Sequence, residues 1–293
     1  MKSFQDAMTI AVANYHGADP SFVGKLAVFA QAFGDRCVTE IKPEDVEIAI
    51  DGLAQRGKLN IRRTRNGVKA VPTGKPLSPA TLNRHISALG TMYRELRRLR
   101  ITPRGFVSPT RGVERMQGDT ARTLQVTVDD VKRLVAACRL SRNKSLAAIT
   151  AMACTTGWRL GNLQSLRWRD VNLDEGYADT ARTKNGTPHR AVLLPWVLDE
   201  LKKICPKHPQ PDEFIFGKKT FRKTWQGALA LADLPQDWTF HHCRHIAASI
   251  LAQSGASVAV VMACLNHKSP SMAMRYTHLN TQTLRDGMTR AWA

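Results

Sequence analysis

The sequence predicts a mainly α-helical protein with a small antiparallel β-sheet in its C-terminal half, an α+β chain in two domains. Apolar residues recur at three- and four-residue steps over most of the 293 positions, the signature of helices with one buried face. The period changes around 177–194, where two short extended runs flank Asn185-Gly186, the dipeptide best suited to a type I′ hairpin turn. Between about 103 and 125, Pro103, Gly105, Pro109, Gly112 and Gly118 punctuate a stretch with no period, which marks a linker. The expected domains are therefore 1–118, helical with a basic linker from about 103, and 119–293. Each is long enough to bury its own core.

The first expected helix follows Asp19-Pro20-Ser21, with Phe22, Val23, Leu26, Phe29, Ala30 and Phe33 on one stripe, and stops at Gly34. About 20 residues precede it. Pro43 opens a second helix with Val46, Ala49, Ile50 and Leu53 inward, ending at Gly57. Residues 57–77 are basic and rich in Gly, Pro and Asn, and read as loop or hairpin. Ser78-Pro79 supplies an N-cap and an N1 proline for a long helix whose inward stripe is Leu82, Ile86, Leu89, Tyr93 and Leu96. In the second domain Thr127-Val128-Asp129-Asp130 resembles a capping box, ahead of a stripe of Val131, Leu134, Val135 and Cys138. Helices are expected at about 144–154, from Arg159 to about Leu166, and from Pro195 (Val197, Leu198, Leu201, Ile204), with the remainder helical. Val258, Val261, Met262 and Leu265 form one such stripe, and Ser269-Pro270 caps a short helix carrying Tyr276.

Charge narrows the function. Lys and Arg total 43 against 24 Asp and Glu, a formal +19. The excess is uneven. Residues 1–51 carry 4 basic and 8 acidic residues, whereas 52–118 carry 15 basic and 2 acidic, a net of +13. So many unbalanced charges repel one another, and a polyanion such as nucleic acid is the fitting counterpart. Arg62, Arg63, Arg65, Lys69, Arg84, Arg94, Arg97 and Arg98 are the candidate DNA contacts. A membrane partner is disfavoured, since no apolar run approaches a span and no lipidation signal is present. The 6 cysteines lack a CxxC pair and sit in apolar patterns, which suits reduced thiols; with no signal peptide, the expected location is the cytoplasm, at the nucleoid.

The chemistry lies in a pattern. Along the second domain run Thr156-Gly157-Trp158-Arg159, then Thr183-Lys184-Asn185-Gly186, then His241-His242-Cys243-Arg244-His245, then Leu265-Asn266-His267, and finally Arg275-Tyr276-Thr277-His278. Singly, each is more often structural than catalytic. The histidine–cysteine run could suggest a metal, but Arg244 in its midst and the lack of a second ligand pair argue against one. With 4 tyrosines in the chain, a tyrosine nine residues after a given histidine occurs by chance roughly once in 70 tries. Together these motifs closely resemble the tyrosine recombinases, the lambda-type integrase family that includes Xer-type and prophage enzymes. The resemblance spans roughly 125–285, the catalytic domain, and extends more loosely over 20–115, which looks like the family's helical core-binding, SAM-like domain.

The resemblance implies a site-specific recombinase or integrase that cuts and rejoins DNA through a 3′-phosphotyrosyl intermediate and a Holliday junction. Its residues would be Arg159 and Arg244 on the scissile phosphate, Lys184 as proton donor to the leaving 5′ oxygen, His241 as proton acceptor, His267 on the phosphate, and Tyr276 as nucleophile. His242 competes with His241 for that place, and His245 reads as structural or supporting. Neither metal nor nucleotide cofactor is expected. Implied partners are a double-stranded recombination site, further copies in a synaptic tetramer with residues 277–293 docking on a neighbour, and accessory DNA-bending or directionality proteins. Two positions depart from the family: Asn162 stands where Glu or Asp is usual, and Asn266 where glycine is usual, a place asparagine can fill because it tolerates positive φ. The alternatives are a type IB topoisomerase-like strand relaxer and a catalytically inert architectural DNA-binding factor.

Overall fold

The computed structural model describes residues 2–64, 67–118, 126–180, 187–217, 220–276 and 288–289, with backbone alone at 61–64 and 67–69. The chain divides into two compact units, Met1–Ala121 and Arg122–Ala293. It is mostly helical with small antiparallel sheets, the α+β class expected.

The first unit begins with a helix that the sequence reading passed over, α1 (Phe4–Ala13). Ser3 Oγ accepts from the Asp6 amide at 3.1 Å, and Phe4, Ala7 and Ala11 are fully buried. A stripe of one phenylalanine and two alanines is too weak a hydrophobic signal to announce itself. Helices α2 (Phe22–Phe33) and α3 (Pro43–Arg56) follow. In α2 the buried line is Phe22, Leu26, Phe29 and Phe33, while Val23 is exposed, because one residue's 100° turn carries it off the stripe. Residues 57–77 are largely a hairpin, β1 (Leu59–Thr64) paired antiparallel with β2 (Gly67–Pro72). The longest helix, α4 (Pro79–Arg98), buries its whole expected stripe, and Ser78 Oγ accepts from the Thr81 amide. The aperiodic stretch after α4 is fastened back onto it. Asn83 donates to the Met116 carbonyl at 2.8 Å and accepts from the Met116 amide at 3.1 Å, Arg115 reaches the Asn83 carbonyl and Ser87, and Val113 is buried.

The second unit is built round α6 (Leu146–Thr156), whose residues are buried almost without exception. Around it lie α5 (Val128–Arg139), short α7 (Leu160–Ser165), the antiparallel sheet β3 (Val171–Asn172), β4 (Tyr177–Thr180) and β5 (His189–Val192), then α8 (Pro195–Ile204), α9 (Arg222–Leu231), α10 (His242–Gln253), α11 (Val258–Leu265) and α12 (Pro270–Met274). The capping box at α5 forms: Thr127 Oγ1 accepts from the Asp130 amide while Asp130 Oδ2 accepts from that of Thr127 at 2.8 Å. Glu200, almost wholly buried, is held by Arg139 at 2.8 Å and Lys203 at 2.5 Å.

Strand β3, which no reading anticipated, is too short for a periodic signal. Three readings are corrected here. The described residues between α8 and α9 are not helical; Ile215 and Glu213 form backbone bonds to Leu166 and Trp168 instead. Ser269 makes no side-chain cap, its Oγ lying 2.6 Å from that of Ser271. Tyr276 follows α12 in a turn, its amide bonded to the Ala273 carbonyl at 3.0 Å, so the phenol is not carried on the helix. All six cysteines are free thiols. Among the described residues no helix is long and apolar enough to cross a membrane.

Candidate active site

Three backbone devices build the site. Helix α6 ends at Gly157 in the left-handed region (φ +64°), and the chain turns through buried Trp158 to Arg159, the N-cap of α7. A Cβ on Gly157 would lie 2.0 Å from the Leu265 side chain, so only glycine fits. Helix α11 stops at Asn266, also left-handed (φ +50°), which sets His267 past the helix end with its amide on the Met262 carbonyl. The third device is the first turn of α10. His241, Arg244 and His245 stand at i, i+3 and i+4, so they share one face, while Cys243 points into the core. That split sets Cys243 apart from the two histidines of the shared face. Among the described residues no group of three His, Cys, Asp or Glu side chains could hold a metal ion.

On that face Arg244 is only 7% exposed. Its Nη1 donates to the Gly157 carbonyl at 2.8 Å, but its buried Nη2 has no partner among the described residues. His267, 9% exposed, likewise holds a buried Nδ1 that has no partner among the described residues. Leaving a buried polar atom unpaired costs about 1–3 kcal/mol, and native proteins keep few such atoms. Burial, then the neighbouring Arg159, lowers Arg244 to about 10. Burial followed by Arg244 and Arg159 pushes His267 down to about 4. No ion pair with either guanidinium occurs among the described residues. The pocket thus concentrates positive charge and holds an unused Arg244 donor, chemically a site for an anion.

Tyr276 adjoins this pocket, half-buried. Its hydroxyl lies 2.6 Å from Nδ1 of His245. Burial raises its pKa above the ordinary phenol value, opposed by Arg244 and Arg275. His245 is pushed down to about 4 by burial and then by His241, His242 and Arg244. His241 stands exposed at the rim, its ring perpendicular to that of His245 at 5.3 Å, and is lowered by partial burial, then Arg244 and Arg159. His242 turns elsewhere, stacking on Trp238 and taking the Thr239 amide on Nδ1.

Arg159, Arg244, His241, His267 and Tyr276 are therefore neighbours, while Lys184 lies outside the described residues. The backbone N–H of Asn162 donates to the Arg159 carbonyl at 2.9 Å, a bond independent of its side chain. Sequence reasoning missed the contact of His245 with Tyr276, although its place one turn after His241 was a usable signal. It also missed His189 on β5. The Trp158 indole N–H donates to His189 Nδ1 at 2.8 Å, so Nε2 must carry the ring hydrogen and donate to the Ala263 carbonyl at 2.7 Å. That single neutral ring ties the sheet to the turn before Arg159 and to the helix before His267, and nothing about a lone strand histidine advertises it.

Of the candidate DNA contacts, Arg84, Arg94, Arg97 and Arg98 are exposed on α4, with Arg98 paired to Glu95. Arg94 and Arg97 also line an open cavity of about 600 Å³ with Arg111 and Arg115. Arg65 and the side chains of Arg62, Arg63 and Lys69 lie outside the described residues; the backbone register sets Arg62 opposite Lys69.

Residues 125–283, more than half of the chain, match the model of the phage integrase family. The shufflon-specific DNA recombinase of Escherichia coli is 28% identical over 213 residues, 72% of this chain and 54% of that protein. Tyrosine recombinase XerD of Oceanobacillus iheyensis is 28% identical over 229 residues, 71% of this chain and 74% of that one. The match thus spans little more than half the length of the first of these relatives. Among solved structures, the Tn1549 transposon integrase in complex with circular intermediate DNA has the same fold, with a TM-score of 0.71 at 13% identity over 98% of this chain and 99% of that one.

Proposed function

Because the chain belongs to the phage integrase family, we propose that it is a site-specific DNA recombinase that cuts and rejoins duplex DNA through a 3′-phosphotyrosyl bond at Tyr276. The observation that carries this reading is that two buried atoms, Arg244 Nη2 and His267 Nδ1, have no hydrogen-bond partner among the described residues and lie close to a phenol. A phosphodiester supplies the missing charge. Attack on it makes a pentavalent transition state with added negative charge on the non-bridging oxygens, where Arg159 and Arg244 are fixed, permanently charged donors. Losing one such donor costs roughly 100-fold or more in rate. The His267 ring, once its Nδ1 carries the hydrogen, bonds the same phosphate.

Tyr276 oxygen forms a bond to phosphorus as the bond to the 5′ oxygen breaks, and Lys184 gives that oxygen its proton. The ester retains the energy of the broken bond, so a 5′-hydroxyl from a partner strand can attack it and complete the exchange without nucleotide hydrolysis. The exposed arginines of α4 and the cavity they share with Arg111 and Arg115 fit DNA phosphates. Strand exchange between two sites implies several copies on DNA, passing through a Holliday junction. The test is to trap the adduct on a nicked suicide duplex carrying the recombination site. The native chain should become covalently attached to the 3′ phosphate at the scissile position as the short 5′-hydroxyl fragment ending at the nick is lost; binding without any adduct would support an inert DNA-binding factor and refute the recombinase.

A further inference from the structure

We propose that His245, rather than His241, takes the proton of the Tyr276 hydroxyl during strand cleavage; this rests on the recombinase reading and names the group that serves its nucleophile. The geometry is direct. His245 Nδ1 is 2.6 Å from the phenol oxygen, with ring centroids 5.9 Å apart. His241 makes no hydrogen bond to Tyr276 among the described residues and stands one helical turn away at the exposed rim. Both partners of the short contact are held: His245 by the first turns of α10, Tyr276 by its amide on the Ala273 carbonyl and by packing against the small core of Ala247, Ala248, Val261, Leu265 and Ala273.

The protonation states are also the right ones. With its basicity lowered by burial and by His241, His242 and Arg244, His245 is neutral near pH 7, and its Nδ1 can stand bare to accept. The phenol, its own pKa raised, still carries the hydrogen to donate. In the free site the proton stays on oxygen, which keeps the nucleophile quiet without DNA. Two changes move it when the phosphate arrives. The negative charge of the phosphate offsets Arg244, one of the cations that depress His245. As the oxygen–phosphorus bond forms, the phenol oxygen becomes an ester oxygen that cannot hold a proton.

The step balances. The Tyr276 O–H bond breaks, the O–P bond forms and the P–O5′ bond breaks. The phenolic proton goes to His245, which becomes an imidazolium, and Lys184 protonates the departing oxygen. On rejoining, the incoming 5′-hydroxyl returns a proton to Lys184, and His245 returns one to Tyr276.

The test compares His245→Asn, His245→Ala and His241→Asn in single-turnover cleavage of the suicide duplex, alongside a duplex with sulfur in place of the scissile 5′ oxygen. Asparagine at 245 can keep a hydrogen bond to the phenol but cannot take its proton. Both His245 variants should lose at least about 100-fold in adduct formation, and sulfur, which leaves unaided, should not relieve the loss. His241→Asn should lose less. Near-native cleavage by His245→Asn would overturn the proposal by reducing His245 to a positioning residue, and relief by sulfur would overturn it by moving His245 to the leaving group. A DNA-free measurement separates this failure from failure of the recombinase reading. His245→Ala should shift the Tyr276 ring carbon resonance beside the hydroxyl while His241→Ala leaves it in place, and the reverse pattern would refute the contact itself.

Discussion

Replacing Gly157 with alanine should damage both the fold and the phosphate pocket, and the size of the effect follows from local geometry. At φ +64° an alanine pays about 1–2 kcal/mol for left-handed backbone. Its Cβ would also stand 2.0 Å from Leu265 Cδ2 and 3.4 Å from Ala247 Cβ. Leu265 is fully buried and cannot swing into solvent. Overpacking of this kind adds about 1–3 kcal/mol. The total, about 2–5 kcal/mol, is a large share of the 5–15 kcal/mol typical of a folded domain. The same residue's carbonyl accepts the hydrogen bond from Arg244 Nη1, and Leu265 leads directly into Asn266 and His267. Urea denaturation followed by circular dichroism should show the loss, and adduct formation at saturating DNA should fall at least about 10-fold, the rate equivalent of 1.36 kcal/mol. A double variant with Leu265→Ala should recover part of the stability, because the two substitutions share one clash. A stability loss under about 1 kcal/mol, or strictly additive effects in the double variant, would refute the steric argument.

Other outcomes follow from the same site. His245 and His267 have folded pKa values of about 4, below the ordinary 6.5, so the folded state binds fewer protons than the unfolded. Their contribution is intact above pH 6.5 and is lost as pH falls toward 4, with a slope of at most about 1.36 kcal/mol per pH unit for each, less for half-exposed His245. Urea midpoints that do not fall between pH 6.5 and 4 would contradict this, and bound phosphate or DNA should flatten the fall. His189→Leu should cut cleavage about 10-fold or more while His189→Gln, which keeps a neutral acceptor and donor, recovers most of it; equal defects in the two would dismiss the hydrogen-bonded tie. Changing Arg94 and Arg97 to Gln should lower the slope of log K against log salt by about 2, if each meets one phosphate, and an unchanged slope would remove them from the DNA contact.

Local chemistry made much of this legible in advance. The α4 helix could be read from Ser78-Pro79 and a five-residue apolar stripe, and α5 from a reciprocal cap, because both signals are short-range and strong. Asn266 could be read as a left-handed helix end because asparagine stands where the resembled family has glycine. What escaped was set by distant partners or by weak patterns. Helix α1 buries mostly alanine, and β3 has only the pairing of Val171 and Asn172 with β4. Motif spacing brought Arg244, His267 and Tyr276 to one place on the page, but spacing cannot say which of three nearby histidines touches the phenol. That depends on where the turn after α12 lands, a tertiary fact. The tie through His189 is of the same kind, joining residues 31 and 74 positions apart.

The most direct measurement is the adduct itself. The native chain and Tyr276→Phe are each incubated with the nicked duplex, DNA affinity is checked in parallel, and the peptide bearing the nucleotide remnant is identified by mass spectrometry. The native protein should carry it on Tyr276, and the phenylalanine variant should bind DNA with similar affinity yet form no adduct. A covalent complex that survives the substitution, or a remnant on any other residue, would contradict Tyr276 as the nucleophile.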